Sequence, residues 1–573
     1  MRALRTVPPS ALLFVLAACG GTDDAAVAVN ENAADLVLTN AKVYTVDTNR
    51  TVAEAVAIDG DRIVYVGNAN GAQAFVGGDT QVVDAGGRLV LPGFQDIHIH
   101  PISGGVEASA CDLNEFETVA GYRTRIAEYA QANPDVPWVL GGGWSMAAFG
   151  PGAKASKAIL DELVPDRPVF LSSRDGHSAW ANSAALEIAG ITKDTPDPVD
   201  GIIDRDPETG EPVGSLQEGA IYLVAQHVPE TTPEMLKQGM RYARDMLHAY
   251  GITSMQVAYA SEADLTAMSE MDAAGELDLR TVAALWWERD ETEEQIPHLK
   301  SLRERFTKGN IRATSVKIMQ DGVMENYTAV MLEPYLVPSG TKGIPMVEPE
   351  FLKDVVTMLD AEDFQVHFHA IGDGAIRQSL DAIEAARTAN GPSDHRHHIS
   401  HLEVIDPADV PRFAALDTVA NFQPLWAYPD LYITDLTVPF IGEERAKWLY
   451  PIKSVVDAGG MIAFGSDWSV STADPFAQME TAVTRMDVIT NDGGVLLPEQ
   501  RITIEQAIDA FTINAAFVNH QEDTTGSIEA GKLADLIVLD QDLTTIAPTA
   551  ISDTKVLLTL FGGKPVYGSL DEL

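Results

Sequence analysis

Gly93-Phe94-Gln95-Asp96-Ile97-His98-Ile99-His100-Pro101 is an apolar run that carries two histidines, two residues apart, and stops at a proline. Successive side chains of a strand point to opposite faces, so His98 and His100 project together at the strand's C-terminal end. Two neutral imidazoles on one face suit a borderline divalent ion such as zinc. Taken alone, the stretch reads equally well as a strand with two half-buried polar residues. The rest of the chain decides between them.

Four more apolar runs carry polar groups in the same way. Lys317 lies in Ser315-Val316-Lys317-Ile318-Met319, where a charged side chain is rarely buried without a partner. His367 and His369 are two apart in Val366-His367-Phe368-His369-Ala370. His397, His398 and His401 fall in one short run, and Asp467 ends Ile462-Ala463-Phe464-Gly465-Ser466-Asp467. Candidate strands are 94–99, 252–257, 281–286, 315–319, 364–369, 398–402, 418–422 and 461–466, with helical patterns such as 234–249 and 350–361 between many of them. Eight strands with interposed helices predict an α/β fold, a (β/α)8 TIM barrel. Catalytic groups of such a barrel collect at the C-terminal ends of its strands, where these polar side chains fall.

Outward from the barrel, both ends of the chain turn to short β-branched runs. ADLVLTNAKVYTVD, AEAVAIDGDRIVYVG and TQVVDAGGRLVLPG come after Asn32, separated by turn pairs such as Asp59-Gly60 and Gly86-Gly87. Matching runs lie at 526–540, 555–560 and 565–567. The simplest arrangement is a small β-sandwich domain built from both chain ends, residues 34–90 and 511–573, flanking a barrel over 91–510. Two strand-like runs, 137–142 and 168–173, fall between the first two barrel strands, so about 101–250 is assigned to an insertion at the barrel mouth.

The balance of 39 Lys+Arg against 84 Asp+Glu gives a formal net charge of -45. That argues against nucleic acid as a partner, because phosphate binding needs a basic surface. It disfavours polyanionic substrates and leaves neutral or cationic small molecules. With 46% hydrophobic residues over 573 positions, the chain can bury a large core. Two cysteines, Cys19 and Cys111, cannot make a disulfide framework.

Arg2 and Arg5 precede the apolar run Ala11–Ala18, which is too short to span a bilayer and reads as the core of a signal peptide over 1–18. Its end, Leu16-Ala17-Ala18-Cys19-Gly20, resembles a bacterial lipobox, in which the cysteine becomes the lipidated first residue. Residues 19–33 then hold the anchor and a small, polar tether. The expected location is the cell envelope, with the outer membrane favoured and the membrane met only through the lipid.

Taken together, the order His-X-His, Lys, His, His, Asp on strands one, four, five, six and eight resembles the amidohydrolase superfamily. The similarity is greatest to its amidohydrolase-3 (YtcJ-like) group, through Asp175-Gly176-His177, Trp180-Ala181-Asn182-Ser183-Ala184-Ala185-Leu186, Lys317 followed by Asp321-Gly322, and His369-Ala370-Ile371-Gly372-Asp373. The resemblance covers about 34–567 and implies a metal-dependent hydrolase. His98 and His100 would bind one ion, and His369 and His401 a second or support the first. Lys317, carboxylated by carbon dioxide, would bridge two ions, and Asp467 would ligate the first and shuttle the proton. Zinc is the expected metal, and residue types leave one ion or two open. Among the catalytic groups are thus Asp467 and Lys317. His177, Asp321 and Trp144 are candidate substrate contacts, with Arg174 and Tyr327 behind them. For His177 a hydrogen-bonded structural histidine is the alternative, and for Trp144, Trp180, Trp426 and Trp468 ordinary packing accounts for each singly.

The implied reaction is hydrolysis of a carbon–nitrogen bond outside peptides, in an amide, N-acyl or N-formyl group. Ester or lactone hydrolysis on the same metal site is the alternative within enzymes, because activated water attacks either carbonyl. A non-catalytic surface binding lipoprotein is the alternative outside them, and all six ligand positions being filled counts against it. Oligomer formation is left open.

Overall fold

Eight parallel strands form one sheet: β1 Phe94–Ile99, β2 Ile252–Ala260, β3 Arg280–Trp286, β4 Ile311–Met319, β5 Gln365–Ala370, β6 His398–His401, β7 Val419–Phe422 and β8 Ile462–Phe464. The computed structural model describes residues 30, 32–150 and 154–573, so the signal segment, Cys19 and most of the tether lie outside the described residues. The strands neighbour one another in chain order. Just past its last residue, β8 meets β1: the Asp467 N–H donates to the His98 carbonyl at 2.7 Å, and the His100 N–H to the Trp468 carbonyl at 2.8 Å. The sheet is therefore a nearly closed TIM barrel. Strands buried on both faces need little polar alternation, which is why they read as apolar runs.

Helices between the strands cover the barrel from outside. Glu262–Ala274 comes after β2, starts on a capping box made by Ser261 and Asp264, and ends at Gly275 with φ 70°. Pro349–Ala361 and Asp373–Asn390 flank β5 and pack on each other. Pro101–Ala108 leaves β1 directly after His100 and packs against Pro233–Ala249, the helix that leads into β2. The two approach so closely that a Cβ on Gly105 would sit 2.0 Å from the Gly239 carbonyl oxygen.

Between those helices lies a separate six-stranded mixed sheet, with Cys111–Asp112, Val139–Trp144, Val169–Ser173, Ser178–Ala181, Pro212–Glu218 and Gly201–Arg205 side by side in that order. The expected insertion of 101–250 thus contains two helices that belong to the barrel wall. At the other end, Ile513–Val518 is a helix whose Ala515 and Val518 pack with Ile97, Val419 and Ala463. The barrel runs on past 510 because its last helices cover β1, β7 and β8. The C-terminal β segment begins only at Leu536–Leu539.

Two further sheets are built from residues 36–92 and 536–568, and only the second joins the two parts of the chain. One holds Leu36–Thr39, Ala55–Asp59, Arg62–Gly67 and Gln81–Asp84. The other joins Leu89–Pro92 to Leu536–Leu539 in antiparallel register, Val90 opposite Val538. Leu36, Leu38, Val56, Ile58, Val538 and Leu558 share one core, while Val37, on the opposite face of its strand, packs with Ala55, Ala57 and Ala72.

Candidate metal centre at the barrel mouth

The closure of β8 onto β1 assembles the site. Asp96 Oδ1 accepts the N–H of His98 at 3.1 Å and that of Ser466 at 3.0 Å, which locks the two chain segments side by side. Gly465 allows this approach, since a Cβ there would lie 2.5 Å from the His98 nitrogen. Asp467 comes next with φ 55°, and its carboxylate reaches three imidazoles. Asp467 Oδ1 lies 3.4 Å from His98 Nε2 and 3.1 Å from His100 Nε2, and Oδ2 lies 3.8 Å from His401 Nδ1. His401 also takes a left-handed backbone, φ 80°. Non-glycine residues in that region cost energy and cluster at functional sites.

These donor atoms fit a metal ion. Asp467 Oδ1 and His401 Nδ1 are buried without a hydrogen-bond partner. One ligand atom from each of His98, His401 and Asp467 falls within 4.8 Å of the others. Ligands about 2.1 Å from a tetrahedral ion stand roughly 3.4 Å apart, close to the spacings found here. The charge states fit as well. Burial, reinforced by the positive charge of Lys317, pushes His98 down to about 3. Burial likewise holds His369 and His401 well below the usual histidine range, so all three are neutral at pH 7. Burial works against charge on Asp467, but His98 and His100 hold it well below the usual carboxylate range.

Lys317 is buried on β4, in register with His367 of β5. Burial pushes its ammonium down to about 7, opposed by the charge of Asp467. His369 lies two residues further along β5, its ring 4.3 Å from that of His401. Its Nε2 is 3.3 Å from the Gly322 carbonyl and 3.6 Å from Asp321 Oδ1.

A polar layer beneath holds these side chains in place. His98 Nδ1 is 2.8 Å from both His367 Nε2 and Ser400 Oγ. Asn421 donates to Ser400 Oγ at 3.0 Å. His367 is thus a support for His98, deeper in the barrel. His397 lies apart, accepting the Val366 N–H on Nδ1 and donating from Nε2 to Asp360 Oδ1 at 3.0 Å.

Two expected substrate contacts, Trp144 and Asp321, lie in the interior. Trp144 is fully buried in the insertion, packs against Phe149 and Trp180, and donates its indole N–H to the Leu171 carbonyl. Asp321 is also fully buried: its carboxylate accepts the N–H groups of Val330, Ile371 and Gly372 at 2.9–3.0 Å. These bonds build the loops behind His369. Arg174 likewise ties down the insertion, bonding to Glu117 and to the Asn114 carbonyl. Tyr327 packs against Tyr335 and Phe440. His177 does reach the mouth, with its ring 5.1 Å from that of His369. Burial opposes charge on it, but Glu218, 2.9 Å from Nδ1, holds it up at about 9. Trp426 stacks on His401 at 5.5 Å and walls the same side. Sequence reading missed Glu218, Asp96, Ser400 and Asn421; each acts through a partner far away in the chain.

A parallel barrel that gathers neutral histidines and an ionised aspartate at its C-terminal rim defines a metal-dependent barrel hydrolase. The sequence matches the amidohydrolase family over residues 81–567, and the chain belongs to that family. It is 31% identical over 550 residues to the protein LONG AFTER FAR-RED 3 of Arabidopsis thaliana, covering 93% of this chain and 92% of that one. It is 28% identical over 548 residues to the N-substituted formamide deformylase of Arthrobacter pascens, covering 92% and 97%. The fold is similar to a solved metal-dependent hydrolase of Pyrococcus furiosus, with TM-score 0.68 and 25% identity over 89% of this chain and 100% of that one.

Proposed function

We propose that the protein hydrolyses a carbon–nitrogen bond outside peptides, in a small N-acyl or N-formyl substrate, with zinc as its metal. The observation that carries this reading is the place of Asp467. An amine leaves a tetrahedral centre only after protonation, whereas an alkoxide can depart without it. A buried carboxylate in reach of His98, His100 and His401 is placed to take a proton from water and deliver it to the leaving nitrogen. The likeness to a formamide deformylase over nearly the whole chain supports the same bond type.

His98, His100 and Asp467 would hold one ion, and His369 and His401 a second. Lys317, whose ammonium burial pushes down to about 7, would join them once carboxylated by carbon dioxide. Bound there, a divalent ion supplies Lewis acidity and lowers the pKa of a water molecule toward neutrality. The protein's own part is to keep the imidazoles neutral, aim His98 through Ser400 and His367, and move the proton on Asp467.

The test is a panel of N-formyl and N-acyl amines beside matched esters, run before and after chelation. Turnover of the amides that stops on chelation and returns with zinc supports the reading. Turnover confined to esters moves it to an esterase, and none at all to a binding lipoprotein. The leader ending at Cys19 supports anchoring at the cell envelope, which mass spectrometry of the N-terminal peptide would check by finding or missing a diacylglyceryl group on Cys19.

A further inference from the structure

The inserted domain touches the metal centre through His177. This residue lies in the turn between strands Val169–Ser173 and Ser178–Ala181, and Asp175 Oδ1 accepts its backbone N–H at 2.8 Å. Strand Pro212–Glu218 pairs with Ser178–Ala181, and the Glu218 N–H donates to the His177 carbonyl at 3.0 Å. That register brings Glu218 Oε2 to 2.9 Å from His177 Nδ1. The other carboxylate oxygen accepts Thr328 Oγ1 at 2.7 Å, from the loop after β4. The same loop lies flush on Glu218, since a Cβ on Gly322 would sit 2.1 Å from Oε1. Glu218 is buried and held at φ 51°, a left-handed conformation at the end of an extended strand. One side chain therefore ties the insertion to the barrel beside His369.

We propose that Glu218 is a positioning residue that aims His177 at the substrate, an inference that rests on the metal-hydrolase reading of the site. A carboxylate only accepts, so Nδ1 carries the hydrogen of their bond. The ring is then fixed with Nδ1 turned toward Glu218 and Nε2 as its free edge, which has no hydrogen-bond partner among the described residues. The His177 side chain keeps 11% of its surface exposed, against 4% for the neighbouring His369. A substrate seated over His369 meets that edge, and its amide receives a hydrogen bond there. A partner that fixes an imidazole's orientation in this way commonly changes activity about 10–100-fold when removed.

The experiment uses the zinc-loaded protein and an amide that the wild type turns over. E218A and H177A each lower kcat/KM about 10–100-fold, and the double variant is no worse than H177A. E218Q, whose amide oxygen still accepts from Nδ1, recovers most of the loss. T328V cuts the tie to the barrel loop but spares the imidazole bond, and loses less than E218A. A second readout needs neither metal nor turnover: the low-field Nδ1–H proton signal of His177, identified by its absence in H177A, vanishes in E218A and persists in E218Q. The proposal is overturned if E218A acts like the wild type, if it costs as much in the H177A background as alone, or if T328V reproduces its loss. Wild-type turnover that survives chelation would instead defeat the metal reading, while the proton signal still decides the His177–Glu218 bond.

Discussion

Asp467 ties β8 to β1 through its backbone N–H, while its carboxylate touches three histidines. Asp467→Asn keeps the shape and loses the base, so kcat should fall about 10²–10⁴-fold with an unchanged circular dichroism spectrum. Ser400 is the hydroxyl partner of His98 Nδ1, and Ser400→Ala should weaken zinc binding about 10–100-fold in a competition titration with a chelating dye. Lys317 yields a pH dependence. With its ammonium pushed down to about 7, the neutral amine that reacts with carbon dioxide is the major form above pH 7 and the minor one below. Bicarbonate should therefore raise zinc uptake more at pH 8 than at pH 6, and 13C-bicarbonate should give a carbamate signal that Lys317→Ala abolishes. The candidate ligands were legible because metal chemistry restricts residue types and a strand's period places His98 and His100 on one face. Ser400 and Asn421 were not, because a small polar residue in a strand has no signature until its partner is known. The ring of Trp144 turns into the insertion's own core, as ordinary packing would have it.

All eight barrel strands were legible as apolar runs, since a parallel strand buried on both faces carries little else. Of the insertion, only the strands near 137–142 and 168–173 were legible. Its sheet pairs Cys111–Asp112 with Val139–Trp144 and Ser178–Ala181 with Pro212–Glu218, and no local pattern encodes such distant pairing. For the same reason Glu218 could not be connected to His177. Ile513–Val518 falls inside the expected sandwich span because it is apolar and short, and only its packing sets it against Ile97 and Ala463 of the barrel. The junction of β8 and β1 is where the barrel is most sensitive. Gly465→Ala would drive a methyl group into the His98 backbone, so it should destabilise the fold by about 1–3 kcal/mol in urea denaturation and loosen zinc binding with it. Zinc affinity unchanged in Gly465→Ala would detach the site from this junction.

For the molecule as a whole, 84 acidic against 39 basic residues repel polyanions, and a metal held by His98 of β1 and Asp467 just past β8 would link closure of the barrel sheet to ligand binding. Zinc held at about a thousand times its dissociation constant stabilises the folded state by about 4 kcal/mol, so chelation should lower Tm reversibly. Among the described residues no helix is long and apolar enough to cross a membrane; a lipid on Cys19 is the proposed membrane contact. The most direct test is the metal content of the purified chain from residue 20 onward, beside His98→Ala and Asp467→Ala, with amide turnover followed in the same samples. The site predicts one or two divalent ions per wild-type chain, fewer in both variants, and turnover that chelation removes and zinc restores. A wild-type chain that takes up no metal on reconstitution, or turnover that survives chelation, would contradict it.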